Sequence, residues 1–477
     1  MNPFRILMFV LTVIISLAIV SMFFPSKGIR ISNQITLEFP SIESFFRAKA
    51  VTSPALPLLI SEADTAVPQK VSTRVLPDSL MIKTIDEVRQ PIESENIDTS
   101  SLAPFYARLL NNDKIIRVLH YGDSQIEGDR ITGYLRQKFQ ERFGGSGAGY
   151  IPVIQTENVA LQVALKQQGQ WKRYTACGRR DTTLQTNHFG AYGSFGRFVP
   201  QLVSVDSSGF NAGLEITPIK SSYKNCFNIS SIKLLSGALH APLTVRITSG
   251  EQIVAEKEYS LSNDVVADEW NIDNGSQSVR IGFKANQSPD LYGILLDGNA
   301  PGVAFDNIPM RGSSGTDFTK IDFNDLKQTY EKLDVEMLIY QFGVNVVPNI
   351  LEDYTFYERW VYDQLTYLRK AKPEIPILVI GISDMSMKDG DDFVSYPNIV
   401  KIRDAQKRAA FRAGCAFWDM YLAMGGENSM VAWVNANPPL ATQDYTHFNY
   451  AGSRIISQLL CKALMADYEN YVRTCKP

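Results

Sequence analysis

The sequence has no large excess of charge of either sign. It carries 47 lysine and arginine residues against 50 aspartate and glutamate residues, a formal net charge of −3 over 477 residues. It also lacks a basic stripe interleaved with aromatic side chains, the pattern of nucleic-acid-binding surfaces. The composition therefore argues against a nucleic-acid partner. With 45% hydrophobic residues, the chain can fill the cores of one large or two moderate domains.

Histidine is scarce, with four residues in the chain, and no HxxxH or CxxC spacing occurs. The sequence therefore predicts no metal site, and nothing in it predicts a cofactor. His120 lies inside an apolar run and is expected to be a buried, supporting residue. His188 and His240 have no partners at metal-ligand spacing, so we expect them to be structural.

Cysteine is scarce too, with five residues, so at least one is unpaired. Cys415 lies in an apolar run and is expected to be a core residue. Cys461 and Cys475 are about 21 Å apart if one helix carries both, too far for a bridge. Cys177 and Cys226 remain as the plausible disulfide, which would suit an oxidising periplasm.

One long hydrophobic run occurs, near the amino terminus. Residues 6–24, ILMFVLTVIISLAIVSMFF, contain no charged side chain, and about 20 apolar residues in a helix span the hydrocarbon core of a bilayer. The run is long for a signal peptide and no small-x-small cleavage site follows it, so we expect an uncleaved transmembrane anchor rather than a removed leader. Residues 28–105 are rich in Pro, Ser and Thr and are predicted to form an extracytoplasmic linker, in which IRISNQITLEF has the composition of a strand.

Strands and helices alternate over two separate parts of the chain, 106–150 and 300–477. Apolar runs such as 115–122 (IIRVLHYG) and 335–343 (VEMLIYQFG) are each followed by a segment with helical spacing. This alternation predicts a parallel sheet with helices on both faces. The interruption at 151–299 consists of short β-like segments separated by Ser, Gly, Asn and Asp turns, and it predicts an inserted β-sandwich.

Four short polar blocks stand where such a sheet would form a site. GDS (122–124), GSSG (312–315) and GVN (343–345) follow predicted strands, and DYTH (444–447) precedes the last helix. Ligands of open α/β sheets bind beyond the carboxyl ends of the strands. A serine nucleophile needs a base and an acid that orients the base, and Asp three residues before His can supply both. GDS alone is more typical of a capped helix than of a catalytic serine. The presence of all four blocks in this order favours catalysis.

The four blocks resemble the SGNH, or GDSL-like, hydrolase family over both α/β parts of the chain. The resemblance implies a flavodoxin-like sheet and a carboxylic ester hydrolase. Ser124 would be the nucleophile, His447 the base and Asp444 the acid that orients the base. The N–H groups of Ser124 and Gly315 and the side-chain amide of Asn345 would form the oxyanion hole.

The sequence departs from the family pattern in two places. Where many members read GDSL, this chain has Gln125, which we interpret as a sign of a branch with polar substrates. Where many read GxND, Val346 follows Asn345, which removes an acidic neighbour and keeps the amide. Glu127 and Asp129, just after the serine, are expected to favour the helix amino terminus rather than to contact substrate.

The order of a GDS block, a β-rich insertion and a late D-x-x-H block resembles the membrane-associated peptidoglycan O-acetylesterases of Gram-negative bacteria, whose insertion resembles a carbohydrate-binding module. That resemblance implies an inner-membrane, single-pass protein with a periplasmic domain that deacetylates a cell-wall glycan through an acyl-serine. Alternatives are a polysaccharide O-acetyltransferase, which would use a membrane acyl donor protein, and a non-catalytic glycan-binding protein. Aromatic side chains of the insert are candidates for sugar stacking, with core packing as the alternative: Trp171, Tyr174, Phe189, Tyr192 and Phe195.

Overall fold

The structure is a computed structural model, and it does not describe every residue. It describes residues 90–96, 99–155, 162–178, 181, 183–199, 210–219, 223–272 and 278–474, the helical positions 8 and 12, and the backbone of 29–30 and 36–37. Apart from positions 8 and 12, the predicted transmembrane segment at 6–24 lies outside these residues. Within them, no helix is both long and apolar enough to cross a bilayer.

The described residues form twenty strands and eight α-helices. The strands are β1 (Ile29–Arg30), β2 (Thr36–Leu37), β3 (Ile115–Gly122), β4 (Gly147–Ile151), β5 (Val163–Gln168), β6 (Trp171–Thr175), β7 (Ser194–Phe198), β8 (Ala212–Pro218), β9 (Ser231–Ser236), β10 (Leu243–Ser249), β11 (Gln252–Tyr259), β12 (Val266–Asn271), β13 (Val279–Lys284), β14 (Leu291–Asp297), β15 (Gly302–Pro309), β16 (Val335–Gln341), β17 (Ile377–Ile380), β18 (Ser386–Asp389), β19 (Asp392–Ser395) and β20 (Ala416–Trp418). The helices are α1 (Ala103–Leu110), α2 (Thr132–Phe143), α3 (Phe323–Leu333), α4 (Thr355–Ala371), α5 (Ile399–Arg412), α6 (Met420–Met424), α7 (Ser429–Val434) and α8 (Tyr450–Thr474).

The chain divides into two units, Met1–Pro54 and Ala55–Pro477. In the first unit, β1 and β2 pair antiparallel within the segment IRISNQITLEF.

Five strands of the second unit form a parallel sheet in the order β15-β3-β16-β17-β20. Numbered by their sequence within this sheet, the order is 2-1-3-4-5, which is the flavodoxin-like arrangement. The predicted parallel sheet is therefore confirmed. The order reverses between β3 and β16, and ligands of such sheets bind in the crevice at that point.

Helices cover both faces of the sheet because its side chains are apolar on both faces. Along β3, Ile116 and Val118 pack with α1, α2 and α8, whereas Leu119 and Tyr121 pack with α3, α4 and α5. Successive side chains of a strand point to opposite faces, so this continuous apolar run fits a strand that is buried on both sides.

The inserted segment forms two antiparallel sheets. One has the order β11-β10-β13-β8-β5 and the other β12-β9-β14-β7-β6, with β4 also paired to β14. Apolar side chains of both sheets, such as Ile247 and Ile281 from one and Ile232 and Ile294 from the other, share one core. The insert is therefore a β-sandwich, and its ends lie side by side because Gly147 pairs with Asp297.

The sandwich is joined to the parallel sheet by buried polar contacts. Arg117 on β3 donates to Asp297 of the insert at 2.5 Å and to Asp306 on β15 at 2.7 Å. Tyr121 donates its hydroxyl to the carbonyl of Ala191 at 2.8 Å. Since these contacts are inside the protein, the insert and the α/β part share a continuous interior.

Most of the insert's candidate sugar-stacking aromatics lie in this interior. Phe189, Tyr192 and Phe195 are at most 5% exposed, and Tyr174 stacks on Phe195 with ring centroids 5.1 Å apart. Trp171 is partly exposed and packs edge-on against two core phenylalanines. The core alternative therefore holds for the three buried rings, because they fill the space between sandwich and sheet.

The predicted disulfide between Cys177 and Cys226 is wrong. Both side chains are buried free thiols. Cys177 lies in the core shared with the α/β part, whereas Cys226 lies in the core of the sandwich. Cys415 is a fully buried core residue, as expected.

The last part of the predicted linker packs against the α/β part. The backbone N–H and carbonyl of Glu93 pair with those of Phe417 on the edge strand β20, at 2.8 Å each. Trp418 also donates its indole N–H to the carbonyl of Gln90 at 3.2 Å. This segment covers one edge of the parallel sheet.

Candidate active site

The GDS turn follows β3 directly. A Cβ on Gly122 would lie 2.9 Å from the carbonyl oxygen of Gln341 on the neighbouring strand, so the close approach requires glycine. Ser124 opens a 3₁₀ helix, Ser124–Asp129, and the Asp123 carboxylate caps it by accepting from the N–H of Gln125 at 3.0 Å. The N–H of Ser124 thus lies at a helix amino terminus, where the first N–H groups have no partner within the helix.

The DYTH turn brings an acid and a base together. The Oδ1 atom of Asp444 accepts from the backbone N–H groups of Thr446 and His447, at 3.0 Å each, and from the hydroxyl of Thr442 at 2.6 Å. Its Oδ2 atom lies 2.7 Å from Nδ1 of His447. Residue Tyr445 adopts a left-handed conformation, with φ 54°, that lets the chain turn back within these four residues.

A hydrogen bond joins the side chains of the GDS turn and the DYTH turn. Nε2 of His447 lies 2.7 Å from Oγ of Ser124, although the two residues are 323 positions apart in the chain. The structure therefore brings the three residues predicted as a triad into one line, Ser124, His447 and Asp444. In this line the imidazole can accept the serine proton at Nε2 while Nδ1–H stays bonded to the carboxylate.

Asp444 is held in its ionised form. Burial alone would raise the pKa of its carboxyl, but the hydrogen bonds from Thr442, Thr446 and His447 outweigh burial and lower the pKa to about 2. The carboxylate therefore stays charged down to acidic pH, and it can stabilise an imidazolium on His447.

The side-chain amide of Asn345 lies beyond β16, the neighbour of β3 at the point where strand order reverses. Its Nδ2 atom donates to the carbonyl of Ser313 at 2.9 Å. An amide nitrogen carries two hydrogens, so one remains for a ligand, and the bond to Ser313 fixes the orientation of the group. This is the arrangement expected of an oxyanion donor.

The N–H of Gly315, a predicted oxyanion donor, already has an acceptor within the protein. This N–H donates to the hydroxyl of Ser313 at 2.9 Å, so a ligand oxygen would have to share or replace that bond. The position itself requires glycine, because φ is 82° and a Cβ would lie 2.0 Å from the hydroxyl oxygen of Tyr340.

Glu127 lies in the first turn of the 3₁₀ helix that Ser124 opens, whereas Asp129 ends that helix and precedes the first turn of α2. Both carboxylates also form ion pairs. Glu127 forms a two-bond ion pair with Arg311, at 2.5 Å for each bond, and Asp129 forms a buried one with Arg136.

Two buried titratable groups adjoin the turn. Burial lowers the pKa of His120 to about 4, so the ring is neutral, and it bonds to Gln341 and Thr132. This agrees with the supporting role expected for His120. Burial also raises the pKa of Asp123 to about 6, although the N–H of Gln125 opposes that rise.

Three features near the triad were missed by the sequence analysis. Gln125 bonds to the carbonyl of Thr446 in the DYTH turn, and Arg130 bonds to the carbonyl of Phe448, just after that turn. The hairpin β18–β19 supports Tyr445 through a ring stack with Phe393. The contacts of Gln125 and Arg130 end on backbone atoms, which no side-chain pattern encodes. In the part of the chain that the structure describes, no group of three His, Cys, Asp or Glu side chains is arranged to hold a metal ion.

Comparison with solved structures identifies the fold. The chain aligns with a peptidoglycan O-acetylesterase at a TM-score of 0.60 and 20% sequence identity, over 80% of this chain and 99% of that one. The chain has the same fold as that solved structure. Two further matches are a carbohydrate esterase of family 3 from Talaromyces cellulolyticus (16% identity, 35% of this chain, 72% of that chain, TM-score 0.26) and an acetyl xylan esterase (15% identity, 34% of this chain, 81% of that chain, TM-score 0.27). No protein-family model matches the sequence, and no curated protein matches it either.

Proposed function

We propose that the protein is a serine carboxylester hydrolase that removes O-acetyl groups from a glycan. The observation that carries the proposal is the line of hydrogen bonds from Ser124 through His447 to Asp444, 2.7 Å at each step. The fold supports it, because the same fold is found in a solved peptidoglycan O-acetylesterase.

Acylation follows from the geometry. Nε2 of His447 takes the proton of Ser124 as Oγ attacks the acetyl carbonyl carbon. The negative charge on the carbonyl oxygen is stabilised by the N–H of Ser124 and the second N–H of the Asn345 amide, with the N–H of Gly315 as the third donor once it leaves Ser313. The tetrahedral intermediate then collapses, and His447 returns its proton to the departing sugar oxygen.

Deacylation repeats these steps with water. His447 takes a proton from a water molecule, the hydroxide attacks the acetyl-serine, and the same donors stabilise the second oxyanion. Collapse releases acetate and returns the proton to Ser124. The ionised Asp444 stabilises the imidazolium in both halves of the reaction.

The experiment is an acetate-release assay on an aryl acetate, on O-acetylated peptidoglycan and on acetylated xylan. We expect wild type to hydrolyse the aryl acetate and to prefer one polymer. Ser124→Ala should release no acetate with an unchanged melting temperature, because the hydroxyl is at a partly exposed turn. Activity of this variant within tenfold of wild type would contradict the nucleophile assignment.

The proposal includes a location outside the cytoplasm. The apolar run at 6–24 supports a transmembrane anchor, and a cell-wall ester is reachable only from the periplasm. A phosphatase reporter that needs disulfides, fused after Pro477, should be active in intact cells. Activity of a reporter that works only in the cytoplasm would contradict this orientation, and with it the cell-wall substrate.

A further inference from the structure

The nucleophile turn and the acid–base turn come from distant parts of the chain. Their reacting atoms, Oγ of Ser124 and Nε2 of His447, are 2.7 Å apart. The side chains of Asp444 and His447 are 50% and 31% exposed, so apolar packing of these two side chains does not hold them in place. Other contacts must fix the two turns relative to each other.

One such contact is the side chain of Gln125, the residue that departs from the family's GDSL pattern. Gln125 is 1% exposed. Its Nε2 donates to the carbonyl of Thr446 at 2.6 Å, and its Oε1 accepts from the N–H of Phe448 at 3.5 Å. One amide therefore bonds to the residues on both sides of His447.

A second contact is the guanidinium of Arg130. It donates from Nη2 to the carbonyl of Ser124 at 2.8 Å and from Nη1 to the carbonyl of Phe448 at 2.9 Å. Its Nε atom donates to the carbonyl of Glu127 at 2.7 Å. A guanidinium is a rigid planar fork, so it holds these carbonyls at a fixed separation.

We infer that Gln125 and Arg130 are positioning residues that hold the turn bearing His447 against the nucleophile. We call them the Gln125–Arg130 clip, and their role in turnover rests on the proposed function. The clip corrects the interpretation of Gln125 as a mark of polar substrates, because the amide faces the backbone of residues 446–448 rather than a ligand.

The substitution Gln125→Leu separates the effect of losing the hydrogen bonds from the effect of losing packing volume. Many members of the family carry leucine there, so Gln125→Leu suits the fold and fills a similar volume, but it forms no bond to Thr446 or Phe448. The turn should then move more freely, and misplacement of a catalytic group by about 1 Å can cost about 10²-fold in rate. We expect kcat to fall about 10- to 100-fold with KM within about threefold of wild type.

The test compares clip variants with matched controls in the full-length protein. The clip variants are Gln125→Leu, Arg130→Met and Arg130→Lys. The controls are Gln137→Leu and Arg369→Met, which remove a buried glutamine bonded to Glu141 and an arginine bonded to the carbonyl of Ala413. The readouts are kcat and KM on an aryl acetate and amide hydrogen exchange of the peptide 442–449.

We expect faster exchange at 442–449 and a lower kcat in Gln125→Leu and Arg130→Met, and neither change in the controls. Arg130→Lys should recover part of kcat, because an ammonium keeps the charge but cannot reach all three carbonyls. Wild-type kcat in both Gln125→Leu and Arg130→Met would overturn the proposal.

The two hypotheses fail in different ways. If wild type hydrolyses no ester, the proposed function fails, and hydrogen exchange alone decides the clip. In that case unchanged exchange at 442–449 overturns the clip, and faster exchange confined to this peptide supports it.

Discussion

The N–H of Gly315 donates to the hydroxyl of Ser313 at 2.9 Å. The same hydroxyl donates to the buried carboxylate of Asp317 at 2.5 Å, so it is held in place as an acceptor. An oxyanion would therefore compete with Ser313 for this N–H. The amide of Asn345, whose second hydrogen is available, should carry more of the charge stabilisation than Gly315.

The first prediction concerns the two oxyanion donors and compares Asn345→Ala, Ser313→Ala and the double variant. Asn345→Ala should lower kcat about 10²- to 10³-fold, the usual cost of losing one oxyanion donor. Ser313→Ala should release the N–H of Gly315, so it should raise kcat in the Asn345→Ala background. Steady-state kinetics of both single variants and the double variant test this. A double variant no faster than Asn345→Ala alone would contradict it.

The second prediction concerns the left-handed Tyr445, between the proposed acid and base. Its ring stacks on Phe393 with centroids 3.7 Å apart. Tyr445→Gly and Tyr445→Ala both lose this stack, but glycine adopts φ 54° without the steric penalty that alanine meets. The Gly variant should be more stable than the Ala variant by about 1 kcal/mol in denaturant unfolding.

The matched control for that pair is Tyr396, which has no positive φ. There the order should reverse, with alanine more stable than glycine. If alanine is the more stable residue at position 445 as well, the left-handed conformation is not what limits the turn.

The sequence predicts the parallel sheet well for a physical reason. The run that forms β3 is buried on both faces, so it is a nearly continuous apolar segment with sharp ends, and the observed strand, Ile115–Gly122, matches the predicted 115–122. The four polar blocks come together because three of them end strands of this sheet. Their proximity follows from topology, which the alternation of strands and helices predicts.

The insert and the supports of the site are harder to predict. Strand β6, WKRYT, has polar side chains at positions where the sheet is only partly covered, so its pattern is weak. The hairpin β18–β19, SMKDGDDFVS, has little apolar character. It contacts the DYTH turn through a hydrogen bond from the N–H of Ser386 to the carbonyl of Tyr445, a contact that the sequence pattern does not predict. The sequence alone could not exclude the disulfide between Cys177 and Cys226, because a cysteine count does not tell which core each thiol enters.

The third prediction uses Asp384, which lies beyond β17 with 0% exposure. Burial raises the pKa of its carboxyl to about 6, although hydrogen bonds from Ser395 and Met430 oppose the rise. Because the folded-state pKa lies above the unfolded value, this group favours folding fully below about pH 4. The contribution is lost as the pH rises through about 6.

The free energy of unfolding of wild type minus that of Asp384→Asn should therefore be up to about 3 kcal/mol larger at pH 4 than at pH 8. Denaturant unfolding of both proteins at the two pH values measures this. Asp392→Asn, at an exposed position on β19, serves as the control for the Asp-to-Asn substitution itself. A pH-independent difference for Asp384→Asn would contradict a raised pKa of this carboxyl in the folded protein.

The fourth prediction concerns the junction between the sandwich and the sheet. Arg117, at 3% exposure, neutralises Asp297 and Asp306, which are 6% and 0% exposed. Arg117→Met leaves two buried carboxylates without a cation, so it should lower the free energy of unfolding by about 3–5 kcal/mol. Adding Asp297→Asn and Asp306→Asn should restore much of this loss, because no charge then stays buried. Lys138→Met, which removes an ion pair with the exposed Glu141, should change stability by less than about 1 kcal/mol. An equally small effect of Arg117→Met would mean that this ion-pair cluster does not hold the insert in place.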